Sequence, residues 1–534
     1  MKKSTGIIVF LLLFVFAKAQ NKYWVSFTDK ANVTFDPFNY FDERTIQQRL
    51  AQNIPLFDSL DFPANDSYLK AVRSIVDSCS WPSRWLNGIA VYGGPEEIER
   101  VASLAFVKDV TTMNSSAICT FDKAENLLER LDKNSLALLK YQTERLQGSA
   151  FIKQGIDGKG LRIAVFDVGF RNADKHPAFS HLRKEKRIIA TYDFVKRNQN
   201  VYKGHWHGTA TLSCIAGKID SINIGLATGA EILLARTENL LTEQYSEEEN
   251  WLAAAEWADK QGVNIISSSL GYTFTRYFNT QMDGKTSLVA RAASIAAAKG
   301  ILVVNSAGNE GTNNWQFLVT PADVDSVLTV GGSEPEKDCH INFSSYGPNS
   351  VGKLKPNVIA SGRVVAAISN KLAVVSGTSF SAPMVAGFAA CAWQTNRRLS
   401  NMQLFDAIEK SSHLYPYYDY AHGFGIPQAG WFLASNKERV VEPTFDFVII
   451  NHDIKVILRE EYSYPETESA LGYKARRNFY YKIENANGTI IKYFVLLAES
   501  KEMLHLISDD FQQGEILTVH FEGYTKSLDV QEFK

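Results

Sequence analysis

Cysteine is scarce in this chain: Cys79, Cys119, Cys214, Cys339 and Cys391 are the only five in 534 residues, and none forms a C-x-x-C pair. That excludes a disulfide scaffold and a cysteine-based metal knuckle, and an odd count leaves at least one thiol unpaired. Cys214 and Cys391 lie in small, apolar, helix-like runs, which reads as two buried thiols. Charge of one sign is also missing. Lys and Arg number 56 against 58 Asp and Glu, for a net charge of −2 without a basic tract, so nothing points to a nucleic-acid partner. No G-x-S-x-G elbow surrounds any serine nucleophile candidate, because Gly377-Thr-Ser-Phe-Ser lacks the second glycine.

Long apolar runs are confined to the start. MKKSTGIIVFLLLFVFAKAQ carries Lys2 and Lys3, an apolar stretch from Ile7 to Ala17, then Ala17-Lys18-Ala19. Basic end, short apolar region and small-residue cleavage site together predict a signal peptide, residues 1–19, removed after Ala19. The stretch is too short for a permanent membrane span, and no cysteine follows closely enough for lipid attachment. The expected destination is outside the cytoplasm: secreted, periplasmic or at the cell surface.

What is present divides the rest of the chain. At 45% hydrophobic and 21% charged residues, it is a globular composition with room for two to four domains. From residue 20 to 135 the pattern alternates: strand YWVSFTDK (23–30), helix SYLKAVRSIVDSCS (67–80), strand IAVYG (89–93), helix PEEIERVASLA (95–105), strand VKDVTTM (107–113). A helix-prone stretch, residues 121–142, follows this small α+β module. From 136 to 438 the apolar runs LRIAVFD, EILLART, VNIISSSL and ILVVNSA read as buried parallel strands. Helical segments at 247–262 and 286–300 lie between the last three, which predicts an α/β sheet with helices on both faces. Ligands of such sheets sit beyond the carboxyl ends of the strands. Residues 439–534 are rich in Val, Ile, Tyr and Phe, with Asn487-Gly488 as a hairpin signal, and predict a small antiparallel β domain resembling a sandwich.

Three groups stand at predicted strand or helix ends: Asp167, His207 and Ser379. A serine hydroxyl needs a base within reach, and a carboxylate can fix that base's tautomer. Each also has a plain structural reading: Asp167 as a turn or cap residue, His207 as a core histidine, Ser379 as a helix cap. His205 and His207 form an H-x-H pair, but without a carboxylate or thiol cluster nearby no metal is assigned.

VFDVGF, HGTA, SSSLGY, SAGNEG and GTSFSAPMVAG, in that order, resemble the motifs of the subtilisin-like serine proteases (family S8), over roughly residues 150–430. The resemblance implies a mostly parallel sheet flanked by helices. It makes Asp167 the orienting acid, His207 the general base and Ser379 the nucleophile, with Asn309 as the side-chain donor of an oxyanion hole. Ser269, Leu270 and Gly271 would pair with substrate backbone, and Ser306, Ala307 and Gly308 would form the opposite wall of the primary pocket. The pocket floor falls in residues 311–319, where Glu310, Asn313 and Asn314 suggest a polar surround. Three positions depart from the family pattern: Val168, Trp206, and Asn357 in KPNVIASG. Calcium is common in the family and a structural calcium is compatible with the resemblance, but no acidic cluster supplies ligands and no other cofactor is implied.

The resemblance also makes residues 20–135 a propeptide, cut between about 114 and 148. It implies a secreted endopeptidase acting through an acyl-enzyme on protein or peptide substrates, with autocatalytic removal of its own propeptide. Two alternatives fit the same framework: a catalytically silent peptide- or surface-binding protein, or a peptide ligase or cyclase using the same triad. The C-terminal domain reads as a binding, stabilising or removable sorting module.

Overall fold

The computed structural model describes residues 21–113, 124–128, 132–239, 246–273, 276–435, 441–462 and 477–530. The expected leader, Cys119 and part of the expected processing interval lie outside the described residues. The chain forms two compact units, one of residues 1–33 and 63–115, the other of 34–62 and 116–534.

The first unit is a four-stranded antiparallel sheet in the order Ser78–Ser83, Gly88–Gly93, Asn21–Phe27, Val107–Met113. Helices Asp66–Arg73 and Pro95–Ala102 supply Leu69, Val72 and Val101 to a core shared with Val25, Ile89 and Val91. The helix expected to run to residue 80 stops at Arg73, and Ser78–Ser83 is a strand instead. Pro82 explains where that strand sits: with no N–H to donate, it is tolerated at the sheet edge.

The second unit is built on a seven-stranded parallel sheet. Its strands are β1 (Arg162–Asp167), β2 (Ile188–Asp193), β3 (Glu231–Arg236), β4 (Ile265–Ser268), β5 (Leu302–Ser306), β6 (Val327–Ser333) and β7 (Val358–Ser361). The order is β7-β6-β5-β4-β1-β3-β2, so the chain reverses direction across the sheet between β1 and β4. That switch point opens a crevice at the carboxyl ends of β1 and β4. The four predicted strands are all there; β2, β6 and β7 carried weaker signals. β2 is a half-exposed edge, β6 ends in Gly331-Gly332-Ser333, and β7 has only four residues.

Alternation within β1 sorts the two faces. Ile163 and Val165 join a core with helices α1 (His207–Ala216) and α4 (Thr378–Thr395), whereas Phe166 turns the other way onto Trp251 of α2 (Ser246–Lys260), ring to ring at 5.4 Å. Helix α3 (Leu288–Ala298) packs beside α2. A hairpin, Arg363–Ile368 with Lys371–Ser376, leads into α4. The stretch expected to be helical from 121 divides: Ala124–Leu128 is a strand paired antiparallel with Lys371–Ser376, and the helix is Lys133–Glu144.

The C-terminal residues form a three-stranded and a four-stranded antiparallel sheet around one core, in which Phe445, Val456 and Leu504 of the first meet Phe479, Val519 and Phe521 of the second. Asn487-Gly488 does form the hairpin turn, with Gly488 at φ +75°. Tyr480 and His520 of this module pack on Tyr417, with ring centroids 5.8 Å away in both cases.

Candidate active site

Asp167 is the last residue of β1 and is wholly buried. Its carboxylate accepts hydrogen bonds from the Val168 N–H (2.8 Å), the Thr211 hydroxyl (3.0 Å) and His207 Nδ1 (2.9 and 3.1 Å). The bond from Nδ1 to this carboxylate sets the orientation and tautomer of the imidazole, leaving Nε2 as the free ring nitrogen. His207 opens α1, and the fit there needs glycine. Gly208 approaches Gly169 so closely that an added Cβ would stand 2.4 Å from the Gly169 carbonyl oxygen. Val168 departs from the family pattern harmlessly, because its backbone carries the contacts: the N–H goes to Asp167, and the C=O accepts from Arg236 Nε at 3.0 Å. Arg236, itself held by Asp193 at 3.0 Å, was not singled out from the sequence; a lone arginine ending the apolar run EILLAR was its signal.

Ser379 is the second residue of α4, behind Gly377 at φ +148°, and Phe380 brings its ring to 5.3 Å from that of His207. Pro383 sits beyond the first turn of this helix, four residues after Ser379. It has no N–H to give the Ser379 carbonyl. That carbonyl accepts instead from the Ser269 hydroxyl at 2.7 Å, which ties the wall after β4 to the backbone of Ser379.

Asn309 follows β5. Its side-chain oxygen accepts from both the N–H and the hydroxyl of Thr378, at 2.9 Å each, so the carboxamide is fixed with Nδ2 as the end turned away from Thr378. Asn305, buried within β5 and missed from the sequence, donates to the carbonyls of Leu270 (3.0 Å) and Ser306 (2.9 Å) and so fixes both walls. A single polar residue in the apolar run ILVVNSA was the available signal.

Ser269–Gly271 and Ser306–Gly308 extend neighbouring strands, and Val319, inside the 311–319 stretch, packs as an apolar wedge between them. Val319 is 4% exposed and donates its N–H to the Ala307 carbonyl at 3.2 Å, while Thr320 exchanges backbone bonds with Tyr272. A Cβ on Gly271 would stand 2.0 Å from one Val319 methyl, and a Cβ on Gly308 2.6 Å from the other. Glu310 and Asn313 bond to each other, and the Trp315 indole donates to the Leu318 carbonyl at 3.0 Å.

A family model for the subtilases matches residues 158–426, just over half of the chain. The chain belongs to the subtilase family. A second family model, the peptidase S8 propeptide domain of Bacteroidota, matches residues 22–126 of this subtilase. The serine protease AprX of Bacillus subtilis (strain 168) is 27% identical over 317 residues, covering 53% of this chain and 68% of its own. Subtilisin BL of Lederbergia lenta is 26% identical over 271 residues, covering 50% and 89%. A solved cold-adapted subtilisin-like serine proteinase aligns with a TM-score of 0.40 at 24% identity, over 50% of this chain and 86% of the other. The subtilase is thus a serine protease with a propeptide domain.

The remaining departures have local explanations. Asn357 accepts from the Thr329 N–H (2.8 Å) and the Lys355 ammonium (3.0 Å) and donates to Glu409 (2.8 Å), so the charge an aspartate would carry has moved to Glu409. Burial pushes Lys355 down to about 8 and raises Glu409. Trp206 precedes α1, half-buried against the core, with its ring 6.0 Å from that of His207. His205 and His207 do not converge on a metal. His207 Nδ1 is bound to Asp167, His205 Nδ1 accepts the His207 N–H at 3.4 Å, and burial pushes His205 down to about 4. Among the described residues no group of three or more His, Cys, Asp or Glu is placed to hold a metal ion. Cys79, Cys214, Cys339 and Cys391 are free, and burial pushes the Cys214 thiol up to about 12.

Proposed function

We propose that this subtilase is a secreted, self-processing serine endopeptidase in which Asp167, His207 and Ser379 hydrolyse peptide bonds. The observation that carries the reading is the buried Asp167–His207 pair at the carboxyl edge of the sheet, beside the helix whose second residue is Ser379. His207 Nε2 takes the proton of the Ser379 hydroxyl as Oγ attacks the scissile carbonyl. Asp167 stabilises the imidazolium that results. The carbonyl oxygen becomes an oxyanion and is met by Asn309 Nδ2 and the Ser379 backbone N–H. His207 then protonates the leaving amine, and water, deprotonated by the same base, hydrolyses the acyl-enzyme. Substrate backbone pairs with Ser269–Gly271, as strand addition to an exposed edge. With Val319 between the walls, the primary pocket accepts small side chains in preference to aromatic ones.

In this reading residues 1–19 are a cleaved leader, 20–135 the propeptide region, 136–438 the catalytic domain and 439–534 an accessory β domain. The test is intact mass over time for the leaderless wild type and Ser379→Ala. Wild type should lose an N-terminal fragment of roughly a hundred residues while Ser379→Ala stays whole. If both stay whole, or both are cut alike, self-processing by Ser379 is wrong.

A further inference from the structure

Residues 34–62 lie inside the propeptide match, yet they fold with the catalytic unit, although the chain on either side belongs to the other unit. The segment is a strap. Its helix Glu43–Ala51 crosses the carboxyl ends of α2 and α3, where backbone carbonyls lack helical partners. The Thr45 hydroxyl donates to the Asp259 (2.9 Å) and Lys260 (3.1 Å) carbonyls, and the Gln48 and Gln52 amides both donate to the Gly300 carbonyl at 3.3 Å. Asn264 donates to Gln48 at 3.1 Å, and the Asp42 N–H donates to the Lys260 carbonyl at 2.9 Å.

Under the helix lies a buried ion cluster shared between strap and catalytic unit. Arg49 of the strap, 1% exposed and stacked over the Phe41 ring, bonds Asp61 of the strap at 2.5 Å and Asp259 of α2 at 2.6 Å. Lys299, just past α3, bonds Asp58 and Asp61 of the strap at 2.7 and 2.8 Å. Each side thus supplies cations and carboxylates that the other neutralises, and removing one partner of such a set leaves a buried charge unpaired.

The location separates this contact from the cleft. Arg44 pairs with Glu231 and Asp42 with Arg162, the first residues of β3 and β1, while Asn264 and Gly300 lie just before β4 and β5. The strap therefore grips the amino edge of the sheet. Asp167 and Ser269 stand at the carboxyl edge, a strand length of about 20 Å away for six residues at roughly 3.3 Å each.

From this juxtaposition we propose that residues 34–62 are a docking strap that keeps the N-terminal segment bound to the catalytic unit after the chain between them is cut, at a surface outside the catalytic cleft. The proposal rests on the reading that the N-terminal segment is a propeptide. It gives the cleaved segment a second hold, so that it remains a non-covalent subunit at high effective concentration rather than a fragment released on cleavage.

The test does not need the enzyme's activity. A recognition sequence for a site-specific viral protease is inserted after Ser116 in leaderless Ser379→Ala, the protein is cut, and the fragments are run on size-exclusion chromatography in 0.15 M salt. The N-terminal fragment should co-elute with the catalytic fragment, and Arg49→Met should raise its dissociation constant at least tenfold. Hydrogen exchange on the cut, otherwise unaltered protein supplies the measurement that does not depend on a variant folding: amides of the 43–51 helix should stay protected. Separation of the unaltered fragments, or loss of that protection on cutting, overturns the proposal, as does a well-folded Arg49→Met fragment that binds as tightly as before. Failure of Ser379 to self-process would strike only the catalytic reading and leave this outcome intact.

Discussion

Asn309 and Val319 carry separable parts of the account. The Asn309 oxygen is held by Thr378, so the group offered to the cleft is a fixed N–H donor. Removing such a donor costs about 3–4 kcal/mol of transition-state stabilisation. Asn309→Ala should therefore lower kcat by roughly a hundred- to a thousandfold with little change in KM, measured on a short peptide ester or anilide. Val319 fills space between two glycines, so Val319→Gly should open the pocket. The variant should gain on substrates with Phe or Leu before the scissile bond and lose on Ala, by at least about tenfold in the ratio of kcat/KM values, since each methylene in an apolar pocket is worth about 1–3 kcal/mol. An unchanged ratio would place the pocket elsewhere.

The decisive element is α4, whose helical ladder is broken at Ser379 by Pro383 and repaired from another strand's end by Ser269. Ser269→Ala should leave the buried carbonyl unsatisfied and destabilise the protein by about 1–3 kcal/mol. Pro383→Ala restores an N–H four residues on, so the double variant should recover at least half of the loss in a thermal-melt cycle; strict additivity of the two changes would contradict this. The sequence made much of this element legible, because Gly-Thr-Ser before small apolar residues marks a turn entering a tightly packed helix. It did not reveal Ser269 as the carbonyl's donor, since that bond joins residues 110 apart. The same limit hid Asn305, Arg236 and the Val319 wedge, each defined by what another strand brings beside it. Strong apolar runs gave β1, β3, β4 and β5. The edge strand β2, the glycine-containing β6 and β7, which directly follows Pro356 and Asn357, have too little apolar pattern to stand out. Residues 78–80 and Ala124–Leu128 went astray as helix because only pairing with neighbouring strands makes them extended.

At the scale of the whole molecule, histidines packed in low-exposure sites set the response to acid. Burial pushes His205 and His340 down to about 4, lowers His176 and His181, and takes His413 well below its ordinary value. The unfolded chain binds protons on these rings below about pH 6.5 and the folded one does not. Their stabilisation is thus present above about 6.5 and lost as pH falls towards 4, each ring adding at most about 1.4 kcal/mol per pH unit. Asp323 and Asp259, pushed up by burial to about 6 and about 7, and Glu409, also raised by burial, act in the opposite sense. Five rings outweigh three carboxyls, so Tm should fall between pH 6.5 and 4. A Tm that rises on acidification would contradict that balance.

The central claim is that Ser379 is the nucleophile of a working triad. Its most direct test is labelling of the processed protein with a fluorophosphonate, followed by peptide mapping. One phosphonyl group per molecule is expected, on Ser379, with labelling slowed at least a thousandfold in His207→Ala. No label on folded protein, or a label on another serine that His207→Ala does not slow, would contradict it.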